Sequence, residues 1–442
     1  MPSEQCFVYV TLPGQTEPVT AGRYQLDINR DGVAIGQFVY GRSYLARADK
    51  VEFDPVELKL RVPAYRTTKL RGNFGALRDS SPDAWGRRLI ETRLGHSEPT
   101  EIDYLLNSPD DRAGALGFGL NVTPPAPVRV FNRTIDLDRL LQLADAIVAA
   151  ERNPDAPAPQ GPDAVQTEAL MRAGTSMGGA RPKATVEDDD ALWLAKFPHR
   201  DDNWNNTRVE HAMLALARKC GLSSAESRMT TIGGKDVLLV KRFDRHKAET
   251  GYLRSRMVSA LTLLDADDGP AARQKWSYLL LADEMRRAAS GTQARDLSEL
   301  FRRMCFNALV SNIDDHPRNH AMVAKDRDWS LSPAYDLTPN PMIAVERRDL
   351  AMVIGDFGRY ANRSNLISQS GRFLIPQEQA ASILDEMTAT VANSWYATCK
   401  DVGVTERDCE LIRSAFVYEG FGYDLHDAQI QSGHAGESRS RP

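Results

Sequence analysis

Asp314, His316, Asn319 and Asp336 are the residues of this sequence whose types and spacing best suit them to chemistry. Asp314 is a carboxylate able to accept a proton from an attacking hydroxyl, and Asn319, five positions on, offers an amide oxygen to a hard cation. One oxygen cannot fix such a cation, so an acidic residue must follow nearby. Asp336, in the turn Tyr335-Asp336-Leu337-Thr338-Pro339, fills that place. Taken singly, each acid reads more readily as a surface charge or a turn cap. Their order along the chain is what gives them weight.

The elements that must position these residues can be read from the flanks. Leu297, Leu300, Phe301, Met304 and Leu309 recur at helical spacing among Glu299, Arg302 and Arg303, predicting a helix with one buried face. Pro317 cannot continue it and pushes His316 towards extended geometry, so the polar cluster forms a loop held by a packed helix. Trp329-Ser330-Leu331 reads as a short strand leading to Asp336. An aspartate followed after four residues by an asparagine is the spacing of the protein-kinase catalytic loop, where the first accepts the substrate hydroxyl proton and the second binds magnesium.

A phosphate-binding region belongs upstream. Gly174, Gly178 and Gly179 fall in the run Gly174 to Lys183, where adjacent amides can form an anion-binding nest. Lys183 is followed by Ala184, which excludes the Walker pattern, and such a run is more often a plain turn. Two strands follow, Ala184-Thr185-Val186 and Leu192-Trp193-Leu194-Ala195, joined by an acidic turn and ending at Lys196. A glycine-rich loop over a strand pair, with a lysine at its end, is how a kinase covers ATP phosphates. Glu210 lies near the start of an apolar-faced helix, where it can steady Lys196 or serve equally well as a first-turn acid. Val237-Leu238-Leu239-Val240 is a continuous apolar strand running into Lys241-Arg242-Phe243-Asp244-Arg245. It is either a nucleotide hinge with Phe243 packed beside the base or an ordinary strand end with a buried ring.

The chain has 442 residues, of which 26% are charged and 42% hydrophobic, enough for two or three domains. A formal charge of -5 argues against a whole-chain nucleic-acid footprint. The five scattered cysteines suit buried thiols in a reducing compartment. No leader or apolar membrane span stands out, and the expectation is a cytoplasmic protein with no membrane partner. Alternation from Phe7 to Leu60 predicts a strand-rich N-terminal unit. Ser81 and Pro82 read as the cap and first residue of a helix over Ala84 to Leu94, Leu105 to Gly119 as a short helix ending in a glycine turn, and Ile135 to Ala150 as a further helix. The expected divisions are 1–150, a proline- and alanine-rich linker at 151–164, a nucleotide-binding part at 165–256, an all-helical part at 257–425 and a disordered tail at 426–442.

Together these stretches resemble the HipA family of bacterial toxin kinases. Phe74 to Arg88, Asp111-Arg112-Ala113-Gly114-Ala115, Ser176 to Lys183, Lys241 to Arg245 and Asn312 to His320 carry the resemblance. It implies an α+β fold: bilobal and protein-kinase-like, with a strand-rich N-terminal lobe and an all-helical C-terminal lobe. It implies a serine/threonine kinase using ATP and Mg2+. Asp314 matches the catalytic base, Asn319 and Asp336 the metal ligands, and Lys196 the phosphate lysine. Gly178, Gly179, Ala180, Arg181, Pro182 and Lys183 match the nucleotide loop, and Lys241, Arg242, Phe243, His316 and Tyr335 further nucleotide contacts. Glu210 and Asp244 take supporting places, and Ser176 falls where family members autophosphorylate. The implied partners are a HipB-like helix-turn-helix antitoxin, operator DNA through that antitoxin, and a substrate in translation such as an aminoacyl-tRNA synthetase. A pseudokinase that only holds the antitoxin, or a kinase of small molecules, would use the same spacing.

Overall fold

A computed structural model of the chain describes residues 4–94, 99–127, 131–133, 136–142, 181–288, 293–341 and 344–425. The expected linker at 151–164 and tail at 426–442, with Ser176, Gly178, Gly179 and Ala180, lie outside the described residues.

The N-terminal alternation folds as expected into strands β1 (Glu4–Thr11), β2 (Pro18–Ile28) and β3 (Ala34–Tyr40), which bury Cys6, Val8 and Val10 along one face of β1. β4 (Tyr65–Thr67) and β5 (Leu116–Gly119) complete an antiparallel sheet in the order β4-β3-β2-β1-β5. Four helices accompany it, α1 (Arg42–Leu45), α2 (Gly75–Asp79), α3 (Ala84–Leu94) and α4 (Glu101–Asn107). Two expectations are corrected here. The helix placed over Leu105 to Gly119 is α4, which ends at Asn107, while Leu116–Gly119 is a strand zipped to β1. The decisive signal is a capping box in which Thr100 accepts from the Asp103 amide and the Asp103 carboxylate accepts from the Thr100 amide at 2.9 Å. α3 spans its expected residues, but its cap is Asp83, whose Oδ1 accepts from the Gly86 amide at 2.8 Å, and not Ser81.

The second sheet contains β6 (Asn132–Arg133), β7 (Lys183–Asp188), β8 (Ala191–Lys196), β9 (Ser227–Ile232) and β10 (Lys235–Lys241), in the order β6-β7-β8-β10-β9. Strand alternation gives it two apolar faces. Ala184, Val186, Trp193, Ala195, Val237 and Leu239 pack with Trp85 and Leu89 of α3 and with the buried leucines of the helical residues 137–142. On the other face Leu238 and Val240 join the main core with Val209, Met213 and Leu216 of α5 (Asn206–Lys219). The acidic β7–β8 turn places Asp189 and Asp190 both at positive φ, 47° and 57°, which suits a two-residue hairpin.

β11 (Arg245–Ala248) and β12 (Gly251–Arg254) form a ribbon, and β13 (Arg256–Ser259), β14 (Ala321–Ala324) and β15 (Ser330–Leu331) a third sheet. Further α-helices among the described residues are α6 (Ala260–Leu263), α7 (Tyr278–Ala288), α8 (Gln293–Leu309), α9 (Arg363–Ser368), α10 (Gln377–Asp401) and α11 (Glu406–Ile412). The all-helical expectation for residues 257–425 is therefore wrong, because β13 and β14 pair antiparallel across some sixty intervening positions and so leave no local signature. The fold is mixed α and β, and all five cysteines are buried free thiols.

A buried ionic cluster joins the N-terminal unit to the second sheet. Arg242 binds the Asp111 carboxylate and the carbonyls of Asp111 and Arg112, and its Nε and Nη2 reach Asp244 at 3.0 and 2.9 Å. Asp244 also takes Arg245 at 2.7 Å and the Gly114 amide at 2.9 Å. Burial opposes its ionisation, yet Arg242 and Arg245 hold its carboxyl far below the usual range. Asp244→Asn leaves Arg245 without its carboxylate and Arg242 with Asp111 alone, and is expected to lower stability by about 3–5 kcal/mol. A drop in the urea midpoint with an unchanged slope is the measurement.

Candidate active site

The residues 310–320 and 332–336 are held by the β14–β15 hairpin. Ser332 donates its amide to the Ala321 carbonyl at 2.9 Å, closing the base of the hairpin so that Asn319 and Asp336 line the same slot. α8 buries Leu297, Leu300, Phe301 and Met304, as its spacing predicts, and delivers the chain to Ser311, which takes φ 52°. Ser311 Oγ donates to the Ala415 carbonyl at 2.6 Å and accepts from Arg348 at 2.6 Å. The loop's far side is fixed by Pro317–Asn319, a single 3-10 turn.

Asp314 is exposed at the mouth of an open polar cleft of about 530 Å³, and no described side chain pairs with it. Its neighbour Asp315 has the opposite fate. Asp315 is buried, accepts from the Tyr278 hydroxyl and lies 3.0 Å from His320 Nε2, so it anchors the loop from beneath. Asn319 Nδ2 reaches the Asp314 carbonyl at 3.4 Å, leaving Oδ1 available. His316 lies in the cleft beside the Trp276 ring, and its Nδ1 is buried without a hydrogen-bond partner among the described residues.

Lys196 stands between two carboxylates, Glu210 Oε1 at 2.6 Å and Asp336 Oδ1 at 2.7 Å. Burial works against its charge, but the two acids overcome this and raise the ammonium above the ordinary lysine range. The acids respond differently. Burial pushes Glu210 up, while for Asp336 the attraction of Lys196 outweighs burial and lowers the carboxyl to about 2. The side chain of Asp336 is 39% exposed against 7% for Glu210, so the acid that pays less desolvation stays the more acidic. Asp336 holds φ 57°, a left-handed conformation that aspartate tolerates better than most residues and that often marks a functional position.

Next to the polar cleft is a narrow slot lined by Leu194, Val240, Phe243, Met257 and Tyr335, with Lys196, Asn319 and Asp336 at the boundary. The Phe243 and Tyr335 rings lie 5.6 Å apart at 33°. A flat apolar slot opening onto a cationic and carboxylate-rich cleft can hold an aromatic base at one end and phosphates at the other. Among the described residues no three His, Cys, Asp or Glu side chains gather as a ready-made metal site. A magnesium ion held by Asn319 and Asp336 would need phosphate oxygens to complete its shell, which fits this donor set.

Other residues singled out in the sequence take varied places. Arg181 lines the cleft and pairs with Asp202 at 2.7 Å, and Lys183 lines it too. Pro182 accepts from the Phe197 amide through its carbonyl, 3.2 Å away. Lys241 and Arg242 line the slot with Phe243, but Lys241 pairs with Glu226 at 2.8 Å and the Arg242 guanidinium points into the ionic cluster, so Phe243 supplies the ring of that stretch. Asp244 belongs to the cluster and not to the cleft. Sequence reasoning missed Asp83, Asp202 and Asp315; for Asp83 the helix start just after it was the available signal.

The HipA-like C-terminal domain family matches residues 175–395, half of the chain, and the chain belongs to that family. Two curated proteins of Sinorhizobium fredii are similar to it. Putative kinase Y4mE is 25% identical over 171 residues, covering 37% of this chain and 38% of its own length. Putative kinase Y4dM is 26% identical over 165 residues, covering 34% and 38%. The chain thus matches well under half of either relative. Among solved structures, the Shewanella oneidensis complex of HipA, HipB and operator DNA aligns over 92% of this chain and 94% of the compared one, with TM-score 0.63 and 15% identity, a likeness of fold. No helix among the described residues is long and apolar enough to cross a membrane.

Proposed function

We propose that the protein is an ATP- and magnesium-dependent serine/threonine protein kinase with a two-lobed, kinase-like arrangement. The observation that carries the reading is Lys196 clasped by Glu210 and Asp336 where an apolar slot meets the cleft containing Asp314. This is the lysine and glutamate pairing, with a metal-binding aspartate, that kinases use to place phosphates. The base stacks between apolar walls near Phe243, Lys196 and Lys183 meet phosphate oxygens, and Asp314 takes the proton of the incoming hydroxyl. Asn319 and Asp336 would hold magnesium, which would supply charge neutralisation. Positioning and electrostatics then account for most of the rate.

Family membership and the HipA–HipB–DNA neighbour support a toxin role with a HipB-like antitoxin as partner and operator DNA bound through it. The reading is completed by a translation factor as substrate and by Ser176 as the site of autophosphorylation. The test is incubation of the purified protein with magnesium and ATP, followed by peptide mass spectrometry. A phosphate on Ser176 in the wild type, absent from Asp314→Asn, is expected. Phosphate on neither protein, even with candidate translation factors and small alcohols supplied, would point to an antitoxin-binding pseudokinase.

A further inference from the structure

The polar cleft is bordered by a second lysine whose counter-ion comes from outside the nucleotide-binding strands. Lys183 and Lys196 are cross-strand partners in the β7–β8 register, which places both side chains on one face of the sheet. Lys183 is itself buried, with its ammonium 2.6 Å from Asp83 Oδ2, and Asp83 is equally buried. The lysine lines the cleft together with Lys196, Asp314 and Asp336.

Asp83 divides its two oxygens between two tasks. Oδ1 caps α3 through the Gly86 amide at 2.8 Å, and Oδ2 faces Lys183. A cap needs only a hydrogen-bond acceptor, whereas a buried ammonium needs a charge. The second task is what makes an aspartate preferable here to serine or asparagine.

We propose that Asp83 is a positioning residue of the phosphate site: it holds Lys183 charged and in place in the cleft, as Glu210 holds Lys196. The N-terminal unit thereby completes a site otherwise built from elements 100 or more positions later. This rests on the nucleotide reading above. Without the carboxylate, Lys183 would lose the buried counter-ion 2.6 Å from its ammonium, and the side chain would no longer be held at its place in the cleft. Its displacement takes a cation away from the phosphates.

The experiment is calorimetric titration of ATP with magnesium, and separately of adenosine, into the full-length wild type, Asp83→Asn, Asp83→Ser, Lys183→Met and the Asp83→Asn/Lys183→Met double variant. Asparagine and serine both preserve the cap, so a fall in thermal midpoint reports the lost ion pair, and binding is measured well below the lowest midpoint. Both are expected to weaken ATP by about tenfold, the scale of one charge-assisted contact, with adenosine changed less than about twofold. The double variant should bind ATP no more weakly than Lys183→Met alone. ATP affinity unchanged in Asp83→Asn, or ATP and adenosine weakened alike, overturns the proposal while the nucleotide reading stands. A wild type that binds neither ligand removes that reading and this inference with it.

Discussion

Asp314→Asn is expected to slow phosphoryl transfer by about a hundred- to ten-thousand-fold, the usual contribution of a positioned general base, while ATP affinity stays within about twofold. The separation follows from where the side chain sits. Its backbone carbonyl accepts from the His316 amide at 2.8 Å and from Asn319 Nδ2, and the loop beneath is fixed by Asp315, so none of these contacts uses the Asp314 carboxylate. The apolar slot does not include Asp314 either. Asparagine keeps the volume and removes the acceptor for the hydroxyl proton. Single-turnover rates beside equilibrium nucleotide titrations check the split, and turnover at the wild-type rate would sink the assignment of the base.

Lys196→Met should combine loss of nucleotide binding with a stability loss of about 3–5 kcal/mol, because it leaves Glu210 and Asp336 facing each other without their cation. Its pH dependence gives the sharper signature. In the wild type Asp336 is depressed to about 2, so its attraction to Lys196 is in full force above the ordinary aspartate value of 3.8 and is lost as pH falls from there towards 2. Glu210, raised by burial, has the opposite sign and favours the folded state when protonated. In the variant both acids should prefer protonation. The stability gap between wild type and variant should therefore narrow from pH 7 to pH 5, as read from urea midpoints. A gap independent of pH would mean that the lysine acts through packing alone.

Much of this site was legible because its parts are local. The spacing from Asp314 to Asn319, the apolar face of α8 and the strand pair ending at Lys196 each fit within a few turns of sequence, and each element forms near its expected bounds. Long-range elements were not legible. β5 pairs with β1 across the whole N-terminal unit, and β13 pairs with β14 around the helices α6, α7 and α8, so neither has a nearby partner to announce it. Partner choice among charges was equally hidden. Asp314 and Asp315 are adjacent and chemically identical, yet one is exposed in the cleft and the other buried under it, a distinction made by Tyr278 and His320. Likewise Arg242 and Phe243 read as one hinge, but the alternation of the backbone sends the guanidinium to Asp111 and Asp244 and the ring to the slot.

The clasp at Ser311 bears on how the protein can be cut. Ser311 opens the loop that carries Asp314, and its hydroxyl is held by Arg348 and by the carbonyl of Ala415, while the Val417 amide binds the Leu309 carbonyl at 2.8 Å. An excised fragment spanning 175–395 would retain Asp314, Asn319, Lys196, Asp336 and the Arg348 side of the clasp, yet it would lack the Ala415 and Val417 side and Asp83. The stretch shared by the family is thus shorter than the unit that can hold its own chemistry in place. Expression fragments should run from before α2 to beyond Tyr418 if they are to report on the intact site.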